Sequence, residues 1–352
     1  MIDAQRHKFH FVCRNLQKWP ELESPRALPE KSDGLLEPGG VYDRITSAED
    51  CWIIQTYLYL SAVGAPVSIS SRFVEDAICV GCGYEIGIRS ITPNTFVVAC
   101  RGDSHDPALA QVAVVQNQGM VDRDDTFFIP HWPQPGLIVR DGRRGVHIVN
   151  VAFKGDRINL DRSFDTPEFT ADLARLGVSL RVSGKAEDGR AHWHDYSGDD
   201  LVLAVRDLTV EDARVKPASK LVNAWHAGVP ALLGPEPAFR ELRRTDHDYI
   251  EVRTPADVIR GIKLLQSNPE RYRSMIRNGR RRAQEYTVQK VRDRWLEVLN
   301  GPVTEIFAAW HKKSLVGKTL TFPLSCVRHK LNMRKAAWNR EHGMRTVSQS
   351  IT

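Results

Sequence analysis

The chain has 352 residues, 42% of them hydrophobic and 26% charged, with a formal net charge of +6. That length suits about two domains, the usage excludes wholesale disorder, and no apolar run reaches the roughly 18 residues of a bilayer span. Six cysteines spread over such a length do not make a disulfide framework.

The first thirty residues carry Arg6, Lys8, Arg14, Lys18, Glu21 and Glu23, which leaves no secretory apolar region, so a cytoplasmic protein is expected. Residues 7–13 read as a first strand and 20–40, rich in proline, glycine and charge, as loop. Ser47-Ala48-Glu49-Asp50 opens a helix predicted to run through Val63, with Gly64 as its stop. Short strands are predicted at 67–70, 77–80, 95–99, 112–115 and 127–129. Cys79 and Cys82 form one C-x-x-C. A structural zinc site would need a second pair, and Gly81 and Gly83 break the helix a redox site would need. Small buried residues beside a strand are what remains. Arg101-Gly102-Asp103-Ser104-His105 follow the 95–99 strand, and Asp122-Arg123-Asp124 reads as a polar surface loop. Residues 130–136 hold three prolines that lack ladder donors, which predicts a hinge between two domains.

The second half alternates more regularly. A strand at 148–153 enters a loop at Lys154-Gly155, and Thr166-Pro167-Glu168 starts a helix that Gly177 closes. Strands at 178–182 and 201–205 follow, then a helix at 218–227 ended by Gly228 and a strand at 229–233. A short helix at 237–243, a strand at 249–252, a helix capped by Thr254 and Asp257, and another from Asn268-Pro269-Glu270 complete the series. Near-continuous apolar strands alternating with helices predict a parallel sheet covered on both faces, a doubly wound α/β domain.

The charge is uneven. From His311 onward Lys312, Lys313, Lys318, Arg328, Lys330, Arg334, Lys335, Arg340 and Arg345 stand against Glu341 alone, and residues 1–310 sum to −2. Within that tail Leu320, Leu324, Val327 and Leu331 recur at helical spacing. A basic amphipathic helix suits an anionic membrane surface, or it packs back on the first domain. Nucleic acid is not expected, because the charge is confined to the tail and its aromatic residues are few.

In open parallel sheets ligands bind at the carboxyl ends of strands, where helix N-termini present free N–H groups. The run Lys216-Pro217-Ala218-Ser219-Lys220 opens the 218–227 helix there. Lys220 in a first turn opposes the helix dipole. It is either a solvated lysine on an amphipathic helix or a cation that joins the amides and the Ser219 hydroxyl in holding a diphosphate. Trp193-His194-Asp195-Tyr196-Ser197 offers rings for stacking or ordinary packed aromatics, and Arg206 closes the 201–205 strand as a further candidate for phosphate or sugar.

The stretch from Lys216 to Glu241, with its Ala-Gly-Val-Pro turn and Gly234-Pro235-Glu236-Pro237-Ala238-Phe239-Arg240-Glu241, resembles the donor domain of GT-B glycosyltransferases. It is most similar to the glycosyltransferase 4-like and group 1 proteins of polysaccharide biosynthesis, over roughly residues 145–300. The resemblance implies two Rossmann-like doubly wound domains facing across a cleft. They would be an acceptor-side domain at 1–132 and a donor-binding domain at 133–300, followed by a basic helical tail at 301–352. It also implies that Lys220 contacts the donor's phosphates, that Gly155, Arg157 and Asn159 form the phosphate loop, and that Gly234 to Glu236 pass close to sugar or ribose. Retaining members carry two glutamates eight positions apart around this helix, where this sequence has Val215 and Asn223. The stereochemical outcome is therefore open, with Asn223 available to hydrogen-bond a sugar or ribose hydroxyl.

The implied reaction moves a sugar from a nucleotide-sugar donor to a glycan or lipid-linked acceptor, for a surface polysaccharide or glycoconjugate. The nucleotide sugar is a substrate, no cofactor is called for, and with no Asp-x-Asp pair at a suitable strand end no metal is expected. Asp103, His105 and His131 are the candidate bases for the acceptor hydroxyl, and location at the inner face of a membrane would suit the tail. A nucleotide-sugar epimerase of the same fold and a non-catalytic sugar- or nucleotide-binding protein are the alternatives.

Overall fold

Runs of four or five apolar residues become the buried strands of two parallel sheets, as their lack of alternation requires. The computed structural model describes residues 9–22, 34, 36, 40–184 and 191–346. The chain divides into two units: Met1–His131 with Val288–Glu341, and Trp132–Thr287 with His342–Thr352.

In the first unit the strands are β1 (Phe9–Val12), β2 (Val67–Ser70), β3 (Ile78–Cys82), β4 (Phe96–Cys100), β5 (Val112–Val115) and β6 (Thr126–Phe128), ordered β2-β1-β3-β4-β5-β6. Every pairing is parallel. Helix α1 (Gln55–Ser61) continues from a wide turn at Asp50–Ile54. Its start is fixed reciprocally, because the Ser47 hydroxyl accepts from Asp50 N at 3.1 Å while the Asp50 carboxylate accepts from Ser47 N at 2.9 Å. That carboxylate also takes the Lys18 ammonium and the Trp19 indole N–H. Gly64 stops the helix at φ +70°, a conformation other residues reach only with strain. Cys79 and Cys82 lie buried on β3 with free thiols, and Asp122, Arg123 and Asp124 are exposed. Among the described residues, the crossovers β3–β4, β4–β5 and β5–β6 contain no α-helix, only short turns such as Gly83–Glu85 and Gln118–Met120.

In the second unit the strands are β7 (Asn150–Lys154), β8 (Ser179–Ser183), β9 (Leu201–Ala204), β10 (Ala231–Leu233) and β11 (Ile250–Glu251). They are parallel in the order β11-β10-β9-β7-β8. The helices are α2 (Pro167–Arg175), α3 (Val210–Val215), α4 (Ser219–Ala227), α5 (Pro237–Leu242), α6 (Pro255–Ser267) and α7 (Pro269–Ala283). Their caps are those the sequence announces: Thr166 on α2, the Thr254–Asp257 capping box on α6, Asn268 on α7, and Gly228 at φ +69° ending α4. Two apolar clusters fill the sheet's faces. One gathers Phe153, Phe164, Phe169, Leu203 and Ile262; the other gathers Tyr196, Leu221, Trp225, Leu233 and Phe239.

In both sheets the first strand lies between the second and third, so the winding reverses between β1 and β3 and again between β7 and β9. Such reversals open a crevice at the strands' carboxyl ends.

From Val288 the chain returns to the first unit as α8 (Val288–Val298), α9 (Thr304–His311) and α10 (Leu315–His342). Residues 288–300, expected with the second domain, belong here because Val291, Trp295 and Val298 are buried and Trp295 meets Trp52 edge-on at 6.2 Å. The stretch from 301 is not a separate appendage either. Phe307 and Trp310 pack on Phe96, and Phe322 and Cys326 on the cluster of Ile86, Val97 and Leu109. These helices supply cover that the short crossovers lack. Residues 342–346 then pair with the second unit, Val210 N donating to Met344 O and Thr346 N to Leu208 O.

His329 on α10 sets its ring 4.8 Å from that of His105. Burial, then His329 and Arg101, push the His105 imidazole down to about 4, and burial lowers His329 as well. Both rings stay neutral in the fold below the pH at which the unfolded chain takes up protons. Their contribution is therefore complete above about pH 6.5 and is lost as pH falls toward 4. Acidification from pH 7 to 5 is expected to loosen α10 first. Hydrogen exchange of the α10 amides at the two pH values checks this, and equal protection would contradict it.

Candidate functional site

The second unit's reversal lies between β7 and β9, so the residues that leave these strands, with those entering the neighbouring helices, line its crevice. After β7 comes Gly155, after β9 Arg206, after β10 Gly234 to Glu236, and α4 begins at Ser219.

Lys220 is the hub. It occupies the second helical position of α4, whose first intrahelical bonds run from Leu221 N and Val222 N to Ala218 O. The amides of Ser219 and Lys220 thus lie in the turn where a helix presents N–H groups outward. Its ammonium lies 5.4 Å from the centre of the Phe153 ring and donates at 2.5 Å to the carbonyl of Lys154, the last residue of β7. The residue as a whole is half-buried, but its ammonium is enclosed. Desolvation first, then the Arg206 and Lys216 charges, draw it down to about 7, with Glu236 and Asp156 opposing.

Gly155 makes room for it. A Cβ there would meet the Phe153 ring at 3.3 Å and the Lys220 ammonium at 3.4 Å. Gly234 N donates to the Ala204 carbonyl at 2.8 Å, which holds the β10 exit against β9.

Arg206 and Glu236, expected as separate ligands of the donor, bind each other instead. The guanidinium forks onto the carboxylate, Nε to Oε1 at 2.9 Å and a second bond beside it. Both residues are buried, at 9% and 3% exposure, where opposite charges are tolerated when they are paired and hydrogen-bonded. The pair locks the β9 and β10 exits together beneath Lys220. Asn223 is likewise occupied structurally, since its side-chain oxygen accepts from Gln134 N at 3.0 Å and fixes the 132–137 segment. Arg157 and Asn159 are exposed; Arg157 pairs with Asp165 on the surface. Of the donor candidates, then, Gly155 and Gly234 stand at strand exits, Lys216 just precedes and Ser219 and Lys220 open α4, and Arg206 pairs with Glu236 at the β9 and β10 exits.

The aromatic cluster is packing. Tyr196 is buried, with the Lys154 ammonium 4.6 Å over its ring. Sequence reasoning missed the buried charges beneath it. Lys154 pairs with Asp199 at 2.5 Å, and Asp200 accepts from Arg140, Arg144, Val149 N and Asn150 N. Two adjacent aspartates directly before an apolar strand were the available signal.

In the first unit Asp103 accepts from the Gln116 amide at 2.7 Å, and His131 meets the Trp52 ring edge-on. His105 faces His329, as described above. These three do not share one strand end. That unit's own reversal lies between β1 and β3, whose exits are Cys13 to Asn15 and Gly83 to Glu85, none of them expected.

A family model described as Glycosyl transferase-like matches residues 162–297. The match takes in Arg206, Lys216, Ser219, Lys220 and Glu236 and begins just after Gly155. No curated protein matches the sequence. Among solved structures the chain is similar to TarM, at 11% identity over 70% of this chain and 58% of that one, TM-score 0.47. It is similar to Anabaena HepE in complex with UDP and glucose, at 11% identity over 84% and 99%, TM-score 0.47. It is also similar to sucrose-phosphate synthase from Thermosynechococcus elongatus, at 12% over 71% and 76%, TM-score 0.46. The chain spans less than two thirds of the first of these, TarM.

Proposed function

We propose, on the premise of the glycosyl transferase-like match over residues 162–297, that the chain moves a sugar from a nucleotide-sugar donor to a glycan or lipid-linked acceptor. The supporting observation is Lys220, an enclosed ammonium at the amino end of α4 and the carboxyl end of β7. Ser219, Lys220 and the first-turn amides of α4 would take the donor's diphosphate. As the glycosyl–phosphate bond breaks, negative charge grows on the leaving diphosphate, and a fixed cation and amide dipoles aimed there stabilise it. The bond that forms joins the acceptor oxygen to the sugar's anomeric carbon. The hydroxyl's proton needs a base, for which Asp103, His105 and His131 are the candidates. In this reading the transfer uses no metal and serves surface polysaccharide or glycoconjugate synthesis. The basic tail would bring the chain to an anionic membrane.

Melting curves with UDP-, GDP-, CMP- and dTDP-sugars test the donor assignment. One nucleotide is expected to raise the melting temperature by a few degrees, since ligand at about 100 times its Kd adds about 2.7 kcal/mol. No shift with any of the four would sink it. Product NMR with the active donor then reports transfer and the anomer made.

A further inference from the structure

Helix α10 has two opposite faces, and both are legible in the residues. Lys318, Phe322, Ser325, His329 and Asn332 point to the body of the first unit. Lys318 and His329 are buried and the other three half-buried, with Lys318 donating to Asn94 and Asn332 to Asp106. Two positions further along, Leu320, Leu324, Val327 and Leu331 repeat the same spacing, with Arg334 at the next place and Trp338 four residues beyond it. At about 100° per residue that offset turns them to the far side. There they are bare: Leu320 is 76% exposed, Leu324 73% and Trp338 60%. Arg334 stands in line with this stripe, Lys330 flanks it on one side, and Arg328 and Lys335 flank it on the other. No acidic residue occurs between Lys312 and Arg340.

We infer that this outer face of α10 is a docking surface for an anionic lipid bilayer, on which the helix lies in the plane of the headgroups. The inference specifies the face and the orientation of the tail contact proposed above and is independent of the donor site. An apolar stripe with a tryptophan, hemmed by cations, matches the boundary between acyl chains and anionic headgroups. Among the described residues no helix is long and apolar enough to cross a membrane. A second copy of the chain fits worse. The 4-3-4 spacing of the leucines suits a helix pair, but Arg334 takes the next seam position. Two copies would also set basic flanks against basic flanks, and an anionic surface neutralises those same flanks.

Co-sedimentation of the full chain with vesicles tests this, using phosphatidylcholine alone and with roughly 30% phosphatidylserine. The anionic vesicles are expected to bind at least about tenfold more protein, with binding falling as salt rises. Leu324→Glu with Leu331→Glu should remove at least about tenfold of that affinity. Its melting temperature should hold, because both side chains are solvent-exposed. A blue shift of tryptophan emission on anionic vesicles should disappear in Trp338→Ala. Equal pelleting of variant and parent, or none with anionic vesicles at low salt, overturns the inference. So does self-association in sedimentation velocity that the double variant abolishes, which would make a second copy the occupant. Vesicle binding without any nucleotide response would leave this inference standing and remove the donor assignment.

Discussion

Lys220→Met is expected to weaken nucleotide-sugar binding by at least about thirtyfold, or about 2 kcal/mol, without lowering the melting temperature at pH 7. The loss follows from removing the one enclosed ammonium at the α4 amino end. The unchanged stability follows from what the lysine costs the fold. Its ammonium releases a proton near pH 7 in the native state and near 10.5 in the unfolded chain. Between those values the unfolded state holds more protons, so this group's contribution to stability rises with pH and its cost is greatest below 7. Methionine keeps an unbranched apolar stem and removes the charge. The same depressed value makes binding pH-dependent. A diphosphate needs the ammonium, so above pH 7 binding takes up a proton and affinity declines by up to about tenfold per unit. Calorimetry across pH 6 to 9 checks both parts; binding by the methionine variant equal to that of the parent would contradict them.

Glu236→Gln should cost about 3–5 kcal/mol, because it leaves the Arg206 guanidinium buried without its counter-charge. The melting temperature would fall by on the order of 10 °C. Arg206→Met combined with Glu236→Leu should recover much of that loss, since neither charge is then stranded. Denaturant unfolding of the single and double variants measures the coupling. A single variant within about 1 kcal/mol of the parent would show that the pair is not the lock described above.

Much of the second unit was legible because local rules governed it. Thr254 and Asp257 cap α6 as their spacing announces, and the apolar runs at 148–153 and 201–205 became β7 and β9. The partnership of Arg206 with Glu236 was not legible, since it joins residues thirty positions apart and depends on two strand exits meeting. α10 was legible as a helix, but the side it turns to the body was not. Its inward face mixes Phe322 and Cys326 with Lys318, Ser325, His329 and Asn332, while its leucines face out, so the longer apolar stripe does not mark the packed side. The leucine stripe announced the helix correctly but could not say which side the body would take. The helix-poor crossovers of the first unit also went unread, because the helices that cover its sheet come from residues 288–341.

The most direct test is a crystal structure grown with the nucleoside diphosphate that melting curves select. The account predicts the diphosphate within hydrogen-bond reach of the Lys220 ammonium and of the Ser219 and Lys220 amides, with Gly155 alongside. A nucleotide ordered elsewhere, with Lys220 still donating only to the Lys154 carbonyl, would contradict it.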